Sequence, residues 1–135
     1  MLVARTEDAL RRVAGEIGHG ALAAPCDVTS EPSVREMAAR VVSERGGAPD
    51  IVVNNAGVFR VAPITEMPVE LFNDVLGTNL FGPFLMVHAF AASMKARGSG
   101  HFVNIGSIAD RGIFPENGGY APGKYALRAM HEVLR

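Results

Sequence analysis

Apolar residues recur along this chain in two alternating rhythms, one helical and one of short unbroken runs. Ala9, Leu10, Val13 and Ile17 fall at helical spacing and predict a helix from a Thr6 cap through about Ile17, ended by Gly18 and Gly20. A second helical face holds Val34, Met37, Ala38, Val41 and Val42, capped by Ser30 and closed by Gly46 and Gly47. Residues 2–4 read as the end of a strand and residues 21–25 as a short strand leading to Asp27, Val28 and Thr29. Residues 51–53 are a continuous apolar run of the kind expected for a strand buried on both faces of a parallel sheet, and residues 102–105 read as the next buried strand. Pro68 suits the first turn of a helix toward Leu76, and a separate helix is expected from about Asn79 to Ala96, ending at Gly98. Tyr120 opens a last helix, which the chain end cuts at Arg135.

Strands alternating with helices of these lengths imply βα units, and hence an α/β fold: a doubly wound parallel sheet, Rossmann-like, with helices on both faces. The length of 135 residues is that of one domain. In such sheets the functional groups collect at the carboxyl ends of the strands. Asp27, Asn55, Gly57 and Ser107 all fall just past a strand end, and Asn79 and Tyr120 are expected at helix starts.

Composition narrows the function classes. Hydrophobic residues make up 48% of the chain, enough for a packed core, and 13 basic against 14 acidic residues give a net charge of −1. That balance offers no footprint for nucleic acid or an anionic membrane. The most apolar stretch, residues 80–94, is interrupted by Pro83 and His88 and falls short of the roughly 20 residues that span a bilayer, so it is read as a buried helix. The N-terminus turns charged at once and lacks the apolar core of a secretory signal, which makes cytoplasmic residence the expectation. Cys26 stands alone and is read as a packed thiol. The four histidines share no ligand spacing with one another or with Cys26, and no metal site is expected.

The sharpest chemical feature is Tyr120 with Lys124 four places on, thirteen residues after Ser107. On a helix, i and i+4 share a face, so the ammonium can act on the phenol. A neighbouring positive charge favours phenolate over a free phenol, whose pKa is about 10, and so makes a usable acid/base. Taken alone, such a pair is more often an exposed lysine one turn from a partly buried tyrosine.

Together with Asp27 and Val28, the run Asn54, Asn55, Ala56, Gly57, then Asn79, Leu80 and Gly82, and Ser107 ending Val-Asn-Ile-Gly-Ser, this pair resembles the short-chain dehydrogenases/reductases over the whole chain and in that family's order. The resemblance implies an NAD(P)(H)-dependent oxidoreductase that moves hydride between the nicotinamide and a ketone or secondary alcohol. It makes Tyr120 the acid/base. Lys124 lowers the tyrosine's pKa and bonds the nicotinamide ribose, Ser107 orients the substrate oxygen, and Asn79 holds a water that links the lysine to solvent. Asn55, Ala56 and Gly57 are implied to lie against the cofactor, and Asp27 to accept from the adenine amino group with Val28 beside the ring. A turn-forming role is the alternative for Asp27. Ala4 followed by Arg5 at the end of the first strand fits a 2′-phosphate, which favours NADP over NAD. A homo-oligomer along the helices at residues 79–96 and after Tyr120 is an expectation inherited from the family.

The departures matter as much. The family opens with a strand and a glycine-rich turn that cradles the pyrophosphate, and no such fingerprint occurs in these 135 residues. The family's strand order puts that strand at the centre of the sheet, so a gap is expected unless the remaining strands re-pair. Pro122 and Gly123 stand between the tyrosine and the lysine, where a first-turn proline is tolerable. The expectation is an interior piece of a longer reductase, inactive as given. The competing expectation is a non-catalytic remnant that acts at most as a partner of full-length relatives.

Overall fold

The structure is a computed structural model that describes residues 1–134. Its elements run β1 (Leu2–Ala4), α1 (Glu7–Ile17), β2 (Ala23–Pro25), α2 (Glu31–Arg45), β3 (Ile51–Asn54), α3 (Val69–Leu76), a π turn (Gly77–Phe81), α4 (Gly82–Arg97), β4 (His101–Asn104), a 3-10 turn (Ile108–Asp110) and α5 (Tyr120–Val133). The alternation is α/β, and both strand pairs are parallel. The described residues form two compact units, one of Met1–Asp50 with Leu85–Gly100, the other of Ile51–Phe84 with the chain from His101 onward. The expected cut of the last helix at Arg135 lies outside the described residues.

In the first unit, β1 pairs with β2 in the register Leu2↔Ala23 to Ala4↔Pro25. Proline at the last rung costs little, because it lacks only a donor. The connecting helix α1 buries Leu10 and Ala14, and Thr6 stands at its N-cap position without a side-chain cap bond; its carbonyl takes the Leu10 N–H at 3.1 Å. Helix α2 is capped as expected, with Ser30 Oγ accepting the Ser33 N–H at 3.4 Å. Gly46 ends it in the left-handed region at φ +75°, where its N–H reaches the Val42 carbonyl. Val34, Met37, Ala38 and Val41 are buried, whereas Val42 is exposed: one residue past Val41 is about 100° round the helix and off the core face. The far end of α4 is tied down by Arg97, which donates to the Ala48 and Pro49 carbonyls at 2.8 and 3.0 Å.

The helical segment at residues 69–97 corrects the expected pair of separate helices. It is continuous for 29 residues, with Pro68 at the N-cap and the π turn inserted where a break was expected. Asn79 therefore sits inside a helix, in the wide turn, and not at a helix start. Length and composition alone would let this helix cross a bilayer, which overturns the argument that the apolar stretch is too short. Its first half carries the buried Asn79, bonded to the Val58 backbone, a polar commitment that belongs to a packed core.

In the second unit, β3 pairs with β4 from Ile51↔His101 to Asn54↔Asn104. Burial alternates along β3, and Ile51 and Val53 are 58% and 56% exposed, so the reading of a strand buried on both faces is corrected. Val103 and Ile105 lie open with them. An unbroken apolar run reports what a strand can tolerate on each face; covering both faces takes helices on both sides. No further strand pairing joins β1 or β3 to another strand among the described residues.

Candidate active site

All four buried polar or charged residues among those described, Asn54, Asn79, Asp110 and Lys124, lie in the second unit. Burying such groups is costly unless they are paired. Among the described residues no buried side-chain nitrogen or oxygen lacks a partner. The unit is thus built around a polar interior.

Helix α5 supplies the pair singled out by sequence. Tyr120 and Lys124 stay on one face, with Lys124 Nζ 5.7 Å from the centre of the tyrosine ring, despite Pro122 and Gly123 between them. The proline falls in the first turn, where its missing N–H has no helical acceptor. Gly123 is where α5 touches the neighbouring helix: a Cβ there would come within 3.2 Å of Leu76 and 3.7 Å of Asn79. Lys124 is only 7% exposed and donates to the Ile105 carbonyl at 2.7 Å. Burial pushes its amine below the usual lysine range, and the Asp110 carboxylate acts against that push. The Tyr120 ring meets Phe59 edge to face at 4.7 Å between centroids, which fixes the plane of the phenol.

Ser107 follows β4 in extended conformation and caps the 3-10 turn packed against α5. Its Oγ accepts the Ala109 N–H at 3.1 Å, which leaves the hydroxyl hydrogen and a lone pair for another partner. The Asn79 amide clamps the backbone of Val58, accepting its N–H at 2.9 Å and donating to its carbonyl at 2.8 Å. A Cβ on Gly57 would lie 3.0 Å from Asn79 Oδ1, so the glycine is what lets the loop after β3 come this close. With the side chain so occupied, Asn79 keeps one amide hydrogen and its backbone carbonyl in the π turn for any further partner. Asn55, Ala56 and Gly57 present exposed backbone beyond β3.

The remaining sequence-predicted residues, Arg5, Asp27 and Val28, belong to the first unit, at the carboxyl ends of β1 and β2. Asp27 Oδ1 takes both the Thr29 N–H and the Thr29 hydroxyl, at 2.9 and 2.7 Å. These two bonds, the backbone one first, hold its carboxyl below the usual range against the effect of burial, with help from the Arg5 charge. An ionised carboxylate with a second oxygen to offer suits an amino donor, and the exposed Arg5 suits an anion. The same bonds make an Asx turn, so both readings of Asp27 describe one geometry. Cys26 beside it is buried, and burial raises its thiol pKa, as fits a packed residue.

Three groups escaped the sequence reading. Asp110 is buried next to Ser107, and its only sequence signal is an acid directly after the apolar pair Ile108 and Ala109. Asn54 Nδ2 donates to Asn104 Oδ1 at 2.8 Å, and Asn104 Nδ2 lies 3.3 Å from His131 Nδ1, a polar line from β3 through β4 to α5. Matching asparagines at the last rung of two runs were its visible trace. Phe59 had none.

The chain is similar to known proteins along its whole length. A family model described as short chain dehydrogenase matches residues 1–135. The chain is 34% identical over 143 aligned positions to dehydrogenase/reductase SDR family member 7B of Danio rerio, covering 100% of this chain and 46% of that protein. A short-chain dehydrogenase from Streptomyces avermitilis superposes with a TM-score of 0.91 at 32% identity, over 98% of this chain and 48% of that one. An alcohol dehydrogenase from the archaeon Thermococcus sibiricus, solved in complex with 5-hydroxy-NADP, gives 0.90 at 30% identity, over 98% and 57%. The chain thus spans about half the length of the relatives it matches.

Proposed function

Since the chain belongs to the short-chain dehydrogenase family, we propose that its second unit carries the proton-transfer groups of an NAD(P)(H)-dependent oxidoreductase acting on a ketone or secondary alcohol. The observation that carries this reading is the buried Lys124, placed 5.7 Å over the Tyr120 ring and bonded to the strand end that leads to Ser107. The bound nicotinamide supplies or takes the hydride. Tyr120 gives its phenolic proton to the substrate oxygen in reduction and takes one in oxidation. Lys124 stabilises the phenolate electrostatically and offers its remaining ammonium hydrogens to ribose hydroxyls. Ser107 keeps a donor and an acceptor for the substrate oxygen, and the exposed backbone of Asn55, Ala56 and Gly57 gives a cofactor close approach.

In the first unit, Asp27 accepts from the adenine amino group, Val28 lies at the ring, and Arg5 meets a 2′-phosphate, so NADP is preferred to NAD. These 135 residues contain no glycine-rich pyrophosphate cradle, and by themselves they turn over no substrate. The experiment is NADPH consumption by the purified chain with a panel of ketones, beside the Tyr120→Phe variant. The expected result is no rate above that of the variant. Robust consumption abolished by Tyr120→Phe would overturn the inactivity, and robust consumption that survives it would overturn the role of the tyrosine.

One observation favours a second, non-catalytic reading as a partner of longer relatives. Ile51, Val53, Val103 and Ile105 leave one face of the β3–β4 pair apolar and open, the kind of patch that marks an interaction surface.

A further inference from the structure

Lys124 is nearly buried, its one protein hydrogen bond is to a neutral carbonyl, and burial works against its charge. An amine that must act on a phenol as a cation needs a counter-charge, and the family motif residues supply none. The side chain that does is Asp110. Its side chain is 7% exposed, with Oδ1 held by Arg111 Nε at 2.9 Å. Oδ2 lies over Gly106, where an added Cβ would sit 3.1 Å from it. The Asp110 N–H donates to the Ser107 carbonyl at 3.0 Å, and Arg128, one turn past Lys124 on α5, donates to the Asp110 carbonyl at 3.3 Å. Asp110 and Lys124 therefore hold three successive residues, 105–107, between them. The lysine takes the Ile105 carbonyl, the carboxylate covers Gly106, and the main chain of Asp110 holds Ser107.

We propose that Asp110 is a positioning residue of this site: its buried carboxylate keeps the ammonium of Lys124 charged, and it fixes the backbone segment that presents both Ser107 and the lysine's acceptor. This rests on reading Tyr120, Lys124 and Ser107 as the proton-transfer groups. The charged groups around the lysine are consistent with the assignment. Tyr120 shares its face, Asp110 is the acid, and the two guanidinium groups of Arg111 and Arg128 act on Asp110, where they offset the effect of burial on its carboxyl and help the Ser107 N–H to hold it ionised. An ionised carboxylate at this point is thus a stable feature of the unit at neutral pH. A glycine at position 106 is what gives the carboxylate room, because a side chain there would press on Oδ2.

The chain has two lysines, Lys95 and Lys124, so Lys95→Arg leaves a single lysine for 13C NMR of the ε-carbon, with no cofactor present. In that background, Asp110→Asn is expected to lower the Lys124 titration midpoint by about 1 pH unit or more, a tenfold or greater loss of proton affinity, and Asp110→Glu to restore part of it. A merely structural aspartate would leave the midpoint where it was, and coincident titrations of parent and Asn variant would overturn the proposal. Should Asp110→Asn fail to fold, the parent decides. Its Lys124 signal is expected to show an inflection on the acid side as Asp110 takes up its proton, and a signal without one would overturn the proposal equally. Neither readout depends on turnover, so a failure here leaves the NADPH experiment standing, and a failure there leaves the lysine titration interpretable.

Discussion

At the scale of single residues, Asn79 shows how much chemistry one side chain can hide. Its amide makes two bonds to the backbone of one residue while 1% exposed. Asn79→Ala would remove the partners of the Val58 N–H and carbonyl at a half-buried point of the chain, an expected cost of about 1–2 kcal/mol, read from the urea midpoint. A loss below about 0.5 kcal/mol would mean that the clamp is not made. The sequence marked Asn79 as a site residue through family likeness, but its bonding partner was invisible, since Val58 is 21 positions away and nothing in its own type calls for an asparagine. Tyr120 and Lys124 were legible because helical spacing alone puts them together. Asp110 was not: an acid in a loop reads as solvated until burial and two arginines are seen around it.

At the scale of elements, cap and breaker residues located most boundaries, and the errors came from faces and continuity. Ser30 and Gly46 bracket α2 as their chemistry requires. Gly77 and Thr78 fell between the two expected helices, whereas a π turn beginning at Gly77 carries the chain through them as one continuous helix. The strand β3 shows the limit of apolar runs. Val52 is buried and its neighbour Val53 is not, although both are valines in one run. Val52→Thr is accordingly expected to cost about 1–2 kcal/mol, through a hydroxyl forced into the core, and Val53→Thr to stay within about 0.5 kcal/mol, both measured by chemical denaturation. Equal costs at the two positions would mean that the second face is covered after all.

At the scale of the whole molecule, the buried and bonded ionisable groups set the pH dependence of stability. The Asp27 carboxyl is held below its usual range by Thr29. That of Asp110, though raised by burial, is brought below the usual range by Arg111, the Ser107 N–H and Arg128. For both, the unfolded chain binds the proton more readily, so their stabilisation is present above the unfolded carboxylate pKa and is lost as the pH falls through the folded one. Lys124 runs the other way along the scale: its folded pKa is lowered by burial, the unfolded chain keeps that proton to higher pH, and stability rises between the folded and unfolded values. Urea midpoints measured across pH are thus expected to fall on the acid side and to rise on the alkaline side, with Asp110→Asn flattening the first limb and Lys124→Met the second. Midpoints unaffected by either substitution would contradict these assignments.

The central claim is that a nicotinamide cofactor meets the residues gathered around Lys124. Its most direct test is the 15N–1H NMR spectrum of the folded chain titrated with NADP+ into the millimolar range. The amides of Asn55, Ala56, Gly57, Ser107 and Lys124 are expected to move in the second unit and those of Asp27 and Val28 in the first, with NAD+ giving weaker shifts. A spectrum in which none of these signals responds would contradict it.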